Sequence, residues 1–244
     1  MIKWSLFIDI QGFSELYKSG HGKALSLLSR LAGDLYIIGN EIYSQSPKRL
    51  FIYQIGDGFV ICPYFGDPDL VRPISIAIAI MRSIVFNDGF ARASISQGEM
   101  FDILSCYPQE IQNNYENGGI ALGEGIMTIH PVMGDGLINA YKLANCSPQG
   151  PRLLLDNDLK SQINNESVSI LEAFDSHVEL DWIHSEVKEA NKIFKKIKNL
   201  DWDVPCTEIL KTKLTDYLNN YKGNLSDEWK KRAEIIMKGP IGTT

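Results

Sequence analysis

The sequence predicts an α+β fold, in which strand-like and helix-like segments follow one another as β, α, hairpin, α, β, α, β before a helical tail. Three observations carry this. Residues 2–10, IKWSLFIDI, are β-branched and aromatic; residues 51–61, FIYQIGDGFVI, read as two apolar runs joined by Gly56-Asp57-Gly58; and Leu25, Leu28, Leu31, Leu35 and Ile38 recur at helical spacing.

The first segment becomes continuously apolar towards its end, as a central strand does, and carries Asp9 at its exit. Gly12-Phe13-Ser14 turns into helical sequence that runs to about Tyr43 and stops before Pro47. Arg49–Ile55 and Phe59–Cys62 form a hairpin whose Gly-Asp-Gly turn tolerates positive φ. After a loop from Pro63 to Pro68, Asp69 is placed to cap a helix that reaches Phe86 and is apolar on most sides, so it is deeply packed. Asn87-Asp88-Gly89 is a turn, and Phe90–Asp102 alternates like a long strand with a bend at Gly98. The stretch 103–125 is polar and Asn/Gly-rich with little periodicity, and reads as an insertion or mobile loop. A short strand from Met127 leads into a helix over about Gly134–Asn145, followed by strands at Pro151–Asp156 and His177–Ile183. Val187–Ile197, Ile209–Tyr221 and Leu225–Met237 are amphipathic helices that need a surface to cover, either the core or a second subunit. These boundaries divide the chain into a core at 1–156 and an extension at 157–244.

Composition narrows the function classes. With 244 residues, 44% hydrophobic and 22% charged, the chain can bury a full core. A net charge of −6 argues against non-specific binding to nucleic acid or to acidic membranes, yet allows one polyanion held through cations. Cys62, Cys106, Cys146 and Cys206 form no CxxC pair, which fits a reducing cytoplasm with the thiols acting as small apolar residues. The four histidines show no ligand spacing, so a zinc site is not expected. No leader or membrane span is expected either: Asp9 interrupts the N-terminal apolar run, and the run around Ile74–Val85 is short and contains Arg82.

The chemistry is concentrated in two acids. If the hairpin pairs beside the first strand, Asp9 and Asp57 arrive together at one edge of one sheet. Two carboxylates that close disfavour joint ionisation unless a cation joins them. Mg²⁺ bound to a triphosphate uses such a pair, with phosphate and water filling its other positions. The backbone N–H groups of Gly12, Phe13 and Ser14 open the next helix and suit phosphate oxygens, and Gly12 lets a ligand approach closely.

With these segments in place, FIDIQGFSEL resembles the opening motif of the class III nucleotide cyclase catalytic domain, and YQIGDGFVI resembles its second metal motif. ARASISQGEM is similar to that family's Arg-containing strand, and VMGDGLINAYKLA to the turn that starts its catalytic helix; together these span residues 4 to about 146, and PRLLLD carries the similarity to about 156. The resemblance implies a ferredoxin-like core and a head-to-tail homodimer with active sites at the interface. It also implies two Mg²⁺ or Mn²⁺ ions per site, held by Asp9, Asp57 and the carbonyl of Ile10.

Where purine cyclases of the family carry Lys or Glu, this chain has Tyr53, and the second purine-reading position falls on Pro131. Tyr53, Arg92 and the NAYKL helix resemble the stand-alone pyrimidine cyclases of bacterial Pycsar anti-phage systems. That likeness implies a cytoplasmic enzyme converting UTP to cyclic UMP, or CTP to cyclic CMP, for a separate effector protein. Arg92 offers donors only, which match carbonyl oxygens and lean towards uracil; Tyr53 also fits an ordinary strand aromatic, and Arg92 the partner of a carboxylate or of the dimer interface. The helix positions that supply Asn and Arg in familiar cyclases fall on Ile138 and Lys142; Lys142 can offer positive charge, whereas Ile138 cannot replace an amide. Two alternatives stay open, a divergent purine cyclase and a catalytically silent nucleotide-binding sensor.

Overall fold

The computed structural model describes residues 2–64, 66–116, 118–146, 148–163, 168–199, 207–221 and 225–240. Its centre is a seven-stranded sheet. The N-terminal strand β1 (Ile2–Ile10) is followed by helices α1 (Phe13–Ser19) and α2 (His21–Ile37), the latter extended by a wider turn over Ile38–Ile42. The single helix expected to reach Tyr43 is therefore broken at Gly20. The hairpin strands β2 (Leu50–Ile55) and β3 (Gly58–Pro63) lead to α3 (Val71–Val85) and β4 (Ala91–Glu99). Asp69 Oδ1 accepts from the Val71 backbone N–H at 2.9 Å and so satisfies one free donor at the start of α3.

These four strands run antiparallel in the spatial order β4-β1-β3-β2. The chain order βαββαβ in that arrangement is the ferredoxin-like topology. Trp4, Leu6, Ile8 and Ile10 of β1 enter the main core, which α2 and α3 cover, while Phe7 enters a smaller cluster on the opposite face. Every residue of α3 from Pro73 to Val85 is buried, as its apolar sequence predicts.

The stretch 103–125 is more ordered than its composition suggests. It contains a 3₁₀ turn at Leu104–Cys106, α4 (Gln109–Asn114), β6 (Tyr115–Glu116) and β7 (Gly119–Leu122), which with β8 (Gly125–Thr128) form a separate three-stranded sheet. Strands of two to four residues paired mainly to each other leave little period for a sequence to reveal. The remainder of the long strand predicted to Asp102 is β5 (Phe101–Asp102), which leaves the main sheet to pair with β9 (Val132–Met133).

Helix α5 (Asp135–Ala144) lies on the face opposite α2 and α3, with Ala140 and Ala144 packed beside Phe7 and Val60. A Cβ on Gly98 would stand 2.4 Å from the backbone nitrogen of Gly136, so the bend expected at Gly98 is also where the first turn of α5 meets β4. The strand β10 (Leu153–Asp156) joins β4 in parallel, and β11 (Ile170–Ala173) and β12 (His177–Leu180) complete the sheet. The extension thus continues the sheet of the core. Helix α6 (Lys188–Lys198) packs on α3, and α7 (Thr207–Tyr221) and α8 (Asp227–Lys238) bury Leu210, Leu214, Tyr217, Trp229, Ala233 and Ile236 in the main core.

Cys62 is buried as expected, but Cys106 is exposed and Cys146 half-buried, and Cys206 lies outside the described residues. Among the described residues no helix is long and apolar enough to cross a membrane.

Candidate functional site

The two acids meet. In the β1–β3 register Asp9 is paired with Gly58, so Asp57 stands directly beside it in the turn. Gly56 takes φ +63 as the first residue of a two-residue turn, a conformation that favours glycine in this hairpin class. Gly58 has a different role: a Cβ there would lie 2.7 Å from Phe7 Cζ and 3.1 Å from Asp9 Cβ. One glycine of Gly-Asp-Gly shapes the turn, and the other lets it close on Asp9.

On the other side of β1, Arg92 is the Cα partner of Asp9. Its Nε donates to Asp9 Oδ1 at 3.2 Å and its Nη2 to Oδ2 at 2.7 Å, while Nη1 donates to Gln149 Oε1 at 2.8 Å. Both members of this two-pronged pair are buried. The fork fixes the Asp9 carboxylate and neutralises it, and each oxygen keeps a further lone pair for a cation. Asp57 has no such partner among the described residues. Burial pushes its carboxyl above the usual range; its own backbone N–H acts the other way, the negative charge of Asp9 adds to the rise, and Arg92 opposes it.

Both acids line a cleft of ≈ 430 Å³, together with Ile10, Gly12, Phe13, Ser14, Arg92 and Gln149. That volume lies within the roughly 300–1,000 Å³ of small-molecule sites. Gly12 precedes α1 at φ +69, so the chain turns sharply as it leaves β1. Among the described residues no group of three or more His, Cys, Asp or Glu side chains gathers into a metal cage. The donor set where β1 meets the hairpin is instead two carboxylates, one of them poorly compensated, beside a strand-end carbonyl, and exposed Glu15 adds a third acid to the cleft wall. That fits a hard divalent ion that completes its shell with phosphate and water, and fits zinc poorly.

Tyr53 and Lys142 are not part of this cleft. Tyr53 pairs with Val60 on β3, its ring packs on His130 with centroids 4.8 Å apart, and its buried hydroxyl has no hydrogen-bond partner among the described residues. Burial raises its phenol above the usual range, so it stays a donor. Lys142 is exposed on the outer side of α5, with Tyr141 48% and Ile138 43% exposed beside it. The register sets Tyr53 in one row with Val60 and Phe7, on the sheet face that Asp9 shares, but neither Tyr53 nor Lys142 reaches the cleft wall within one protomer.

The cleft also contains residues that motif reading misses. Gln11, Tyr217, Tyr221, Ser226 and Trp229 are also in its wall, and four of these five come from the C-terminal extension. Trp229 Nε1 donates to Gln11 Oε1 at 3.3 Å. Tyr217 and Tyr221 stand four apart on one face of an amphipathic helix, a spacing visible in the sequence but equally typical of core packing. Helix α8 is further held by a charge cluster around buried Glu179, with exposed Glu172 at its edge. Arg152 Nε donates to Glu179 Oε2 at 2.7 Å, Arg232 Nε to the same oxygen at 2.8 Å, and Arg232 Nη1 to Glu172 Oε2 at 2.5 Å.

No protein-family model matches the chain, and no curated protein sequence does. Among solved structures it is similar to a bacterial light-regulated adenylyl cyclase, at 14% identity and TM-score 0.47, over 81% of this chain and 57% of that one. It is also similar to the guanylyl cyclase Cya2, at 12% identity and TM-score 0.40, over 74% of this chain and 90% of that one. A class III adenylyl cyclase-like ATP-binding protein from Pseudomonas aeruginosa matches at 11% identity and TM-score 0.44, over 79% of this chain and 40% of that one. The chain therefore spans little more than half the length of the first of these proteins. Likeness at this level does not bear on chemistry, which is argued from the cleft.

Proposed function

We propose that the chain is a metal-dependent nucleotide cyclase of the class III type, selective for a pyrimidine triphosphate, that forms 3′,5′-cyclic UMP or cyclic CMP and releases pyrophosphate. The observation that carries this reading is the meeting of Asp9 and Asp57 in one cleft of nucleotide size. Mg²⁺ or Mn²⁺ bound by Asp9, Asp57 and the Ile10 carbonyl would supply activation of the ribose 3′-hydroxyl and neutralisation of the triphosphate. The protein's own share is positioning. Arg92 holds Asp9 in one orientation, and the turn at Gly12-Phe13-Ser14 offers backbone donors to phosphate oxygens. Cyclisation is intramolecular, so placing the hydroxyl near the α-phosphate supplies much of the rate.

Base choice rests on Tyr53, whose phenol is a donor without a protein partner, and on the lack of purine-reading residues at positions 53 and 131. Tyr53 and Lys142 lie outside the cleft of their own protomer, which suits a homodimer in which a second copy brings them to the nucleotide. A second reading, a silent nucleotide sensor, is favoured by exposed Ile138, where an amide would orient the ribose. Incubation of the purified chain with each of the four NTPs and Mn²⁺ separates these readings. Cyclic UMP or cyclic CMP with matching pyrophosphate is the expected result. Cyclic AMP or cyclic GMP as the main product would identify a purine cyclase, and triphosphate binding without pyrophosphate release a sensor.

A further inference from the structure

We infer that the C-terminal helical hairpin α7–α8 is part of the triphosphate site, with Tyr217 as a substrate-positioning residue whose hydroxyl donates to a phosphate oxygen of a nucleotide held at Asp9 and Asp57. This rests on the reading of the cleft as a nucleotide site and extends it to a segment outside the motifs.

Tyr217 is only 6% exposed, and its ring is fixed on several sides. Its centroid lies 4.8 Å from that of Phe90, 5.7 Å from Trp229 and 4.6 Å from Tyr221. The ring faces are therefore committed to packing, and stacking on a base is not what this side chain offers. Its hydroxyl is different. It borders the cleft, standing 4.0 Å from where a Cβ on Gly12 would be, and it has no hydrogen-bond partner among the described residues. The ring is buried but its oxygen opens to the cleft, so a free donor beside the turn and two metal-type carboxylates offers a place for an acceptor. Burial pushes Tyr217 up to about 12, which keeps the hydroxyl protonated and donating at neutral pH.

Trp229 sets a second donor. Because the indole N–H can only donate, Gln11 must present its carbonyl oxygen to it, and the Gln11 amide nitrogen then has no partner among the described residues. The Gln11 residue borders the same cleft. Two neutral donors beside Asp9 and Asp57 suit non-bridging phosphate oxygens, since they add hydrogen bonds without competing with a cation for the acids; the exposed Glu15 carboxylate on the same wall adds negative charge that bound cations must also offset. Helix α8 is tied to the rest of the wall within one turn, by Trp229 on Gln11 and by Arg232 on buried Glu179.

The test uses the full chain and inorganic tripolyphosphate with Mn²⁺, titrated by calorimetry into the wild type, Tyr217→Phe, Trp229→Phe and Asp57→Ala. Tyr217→Phe keeps the ring and removes only the hydroxyl. Its melting temperature should stay within about 2 °C of wild type, while tripolyphosphate binds roughly tenfold more weakly, the usual loss for one hydrogen bond to a charged acceptor. In turnover the KM for the nucleotide should rise by a similar factor, with kcat changed much less, a split that a packing defect would not produce. Trp229→Phe should weaken binding in the same direction through Gln11. Binding by Tyr217→Phe equal to or tighter than wild type, with Asp57→Ala inactive in binding, would overturn the role of the hairpin and leave the nucleotide site standing. Absence of binding by the wild type would overturn the nucleotide site itself, and this inference with it.

Discussion

Asparagine at position 57 removes one charge from the tip of the β2–β3 hairpin and changes little in shape. In the folded chain the Asp57 carboxyl is raised by burial and, further, by the charge of Asp9. The folded state therefore binds this proton more tightly than the unfolded state does, and ionising Asp57 costs stability. That cost is fully present above the folded pKa and disappears below the unfolded value, where both states are protonated. Without divalent ions, Asp57→Asn should thus raise the melting temperature at pH 7, and the gain should shrink as the pH falls towards about 4. Divalent ions should reverse the order. An ion at ten times its dissociation constant stabilises a protein by about 1.4 kcal/mol. For a chain of 244 residues this corresponds to roughly 3–6 °C, at about 2–4 °C per kcal/mol. Scanning calorimetry with and without MnCl₂ should show that rise in the wild type and little of it in Asp57→Asn. An equal rise in both proteins would refute shared ion binding by Asp9 and Asp57.

Other perturbations separate structural from chemical roles. Arg92→Ala leaves buried Asp9 without its fork and should cost about 3 kcal/mol in denaturant unfolding, because one member of a buried pair is left alone; a loss below about 1 kcal/mol would show that the pair does not anchor the carboxylate. Glu179→Gln strips the shared partner of Arg152 and Arg232 and should destabilise by roughly 3–5 kcal/mol. If that variant melts like wild type, α8 is held by something other than this cluster. Tyr53→Phe removes only a hydroxyl that makes no protein hydrogen bond, so stability should be unchanged while the ratio of UTP to CTP turnover shifts; an unchanged ratio would remove Tyr53 from base recognition.

The parts legible in the sequence are those whose signals are local. The apolar build-up of β1 to Asp9, the Gly-Asp-Gly turn and the all-round apolar α3 each announce themselves within a dozen residues. Pairing within the hairpin followed because a two-residue turn leaves few options for register, whereas its place beside β1 was a condition, met by the pairing of Asp9 with Gly58. What stayed hidden depends on partners distant in the chain. A carboxylate partner was one of the roles open to Arg92, beside base reading, but that the carboxylate is Asp9 is a consequence of the β1–β4 register across 83 positions. Within 103–125, strands as short as two residues carry no period to detect, so the stretch read as a loop. The β11 strand was missed although it has the length of β10 and β12; it lies at the sheet edge with Glu172 and Ala173 exposed, whereas the other two are buried almost throughout. Amphipathic patterns showed that α7 and α8 cover a surface but not which one, and so Tyr217 and Trp229 were not connected with the acids they adjoin.

The central claim is that Asp9 and Asp57 jointly hold divalent ions for a bound triphosphate. Crystals grown with Mn²⁺ and a non-cleavable α,β-methylene UTP test it directly through the anomalous signal of manganese. The account predicts anomalous peaks in contact with oxygens of both carboxylates and of the triphosphate, in the cleft walled by Tyr217 and Trp229. Manganese bound elsewhere, or nucleotide bound with neither acid touching a metal, would contradict it.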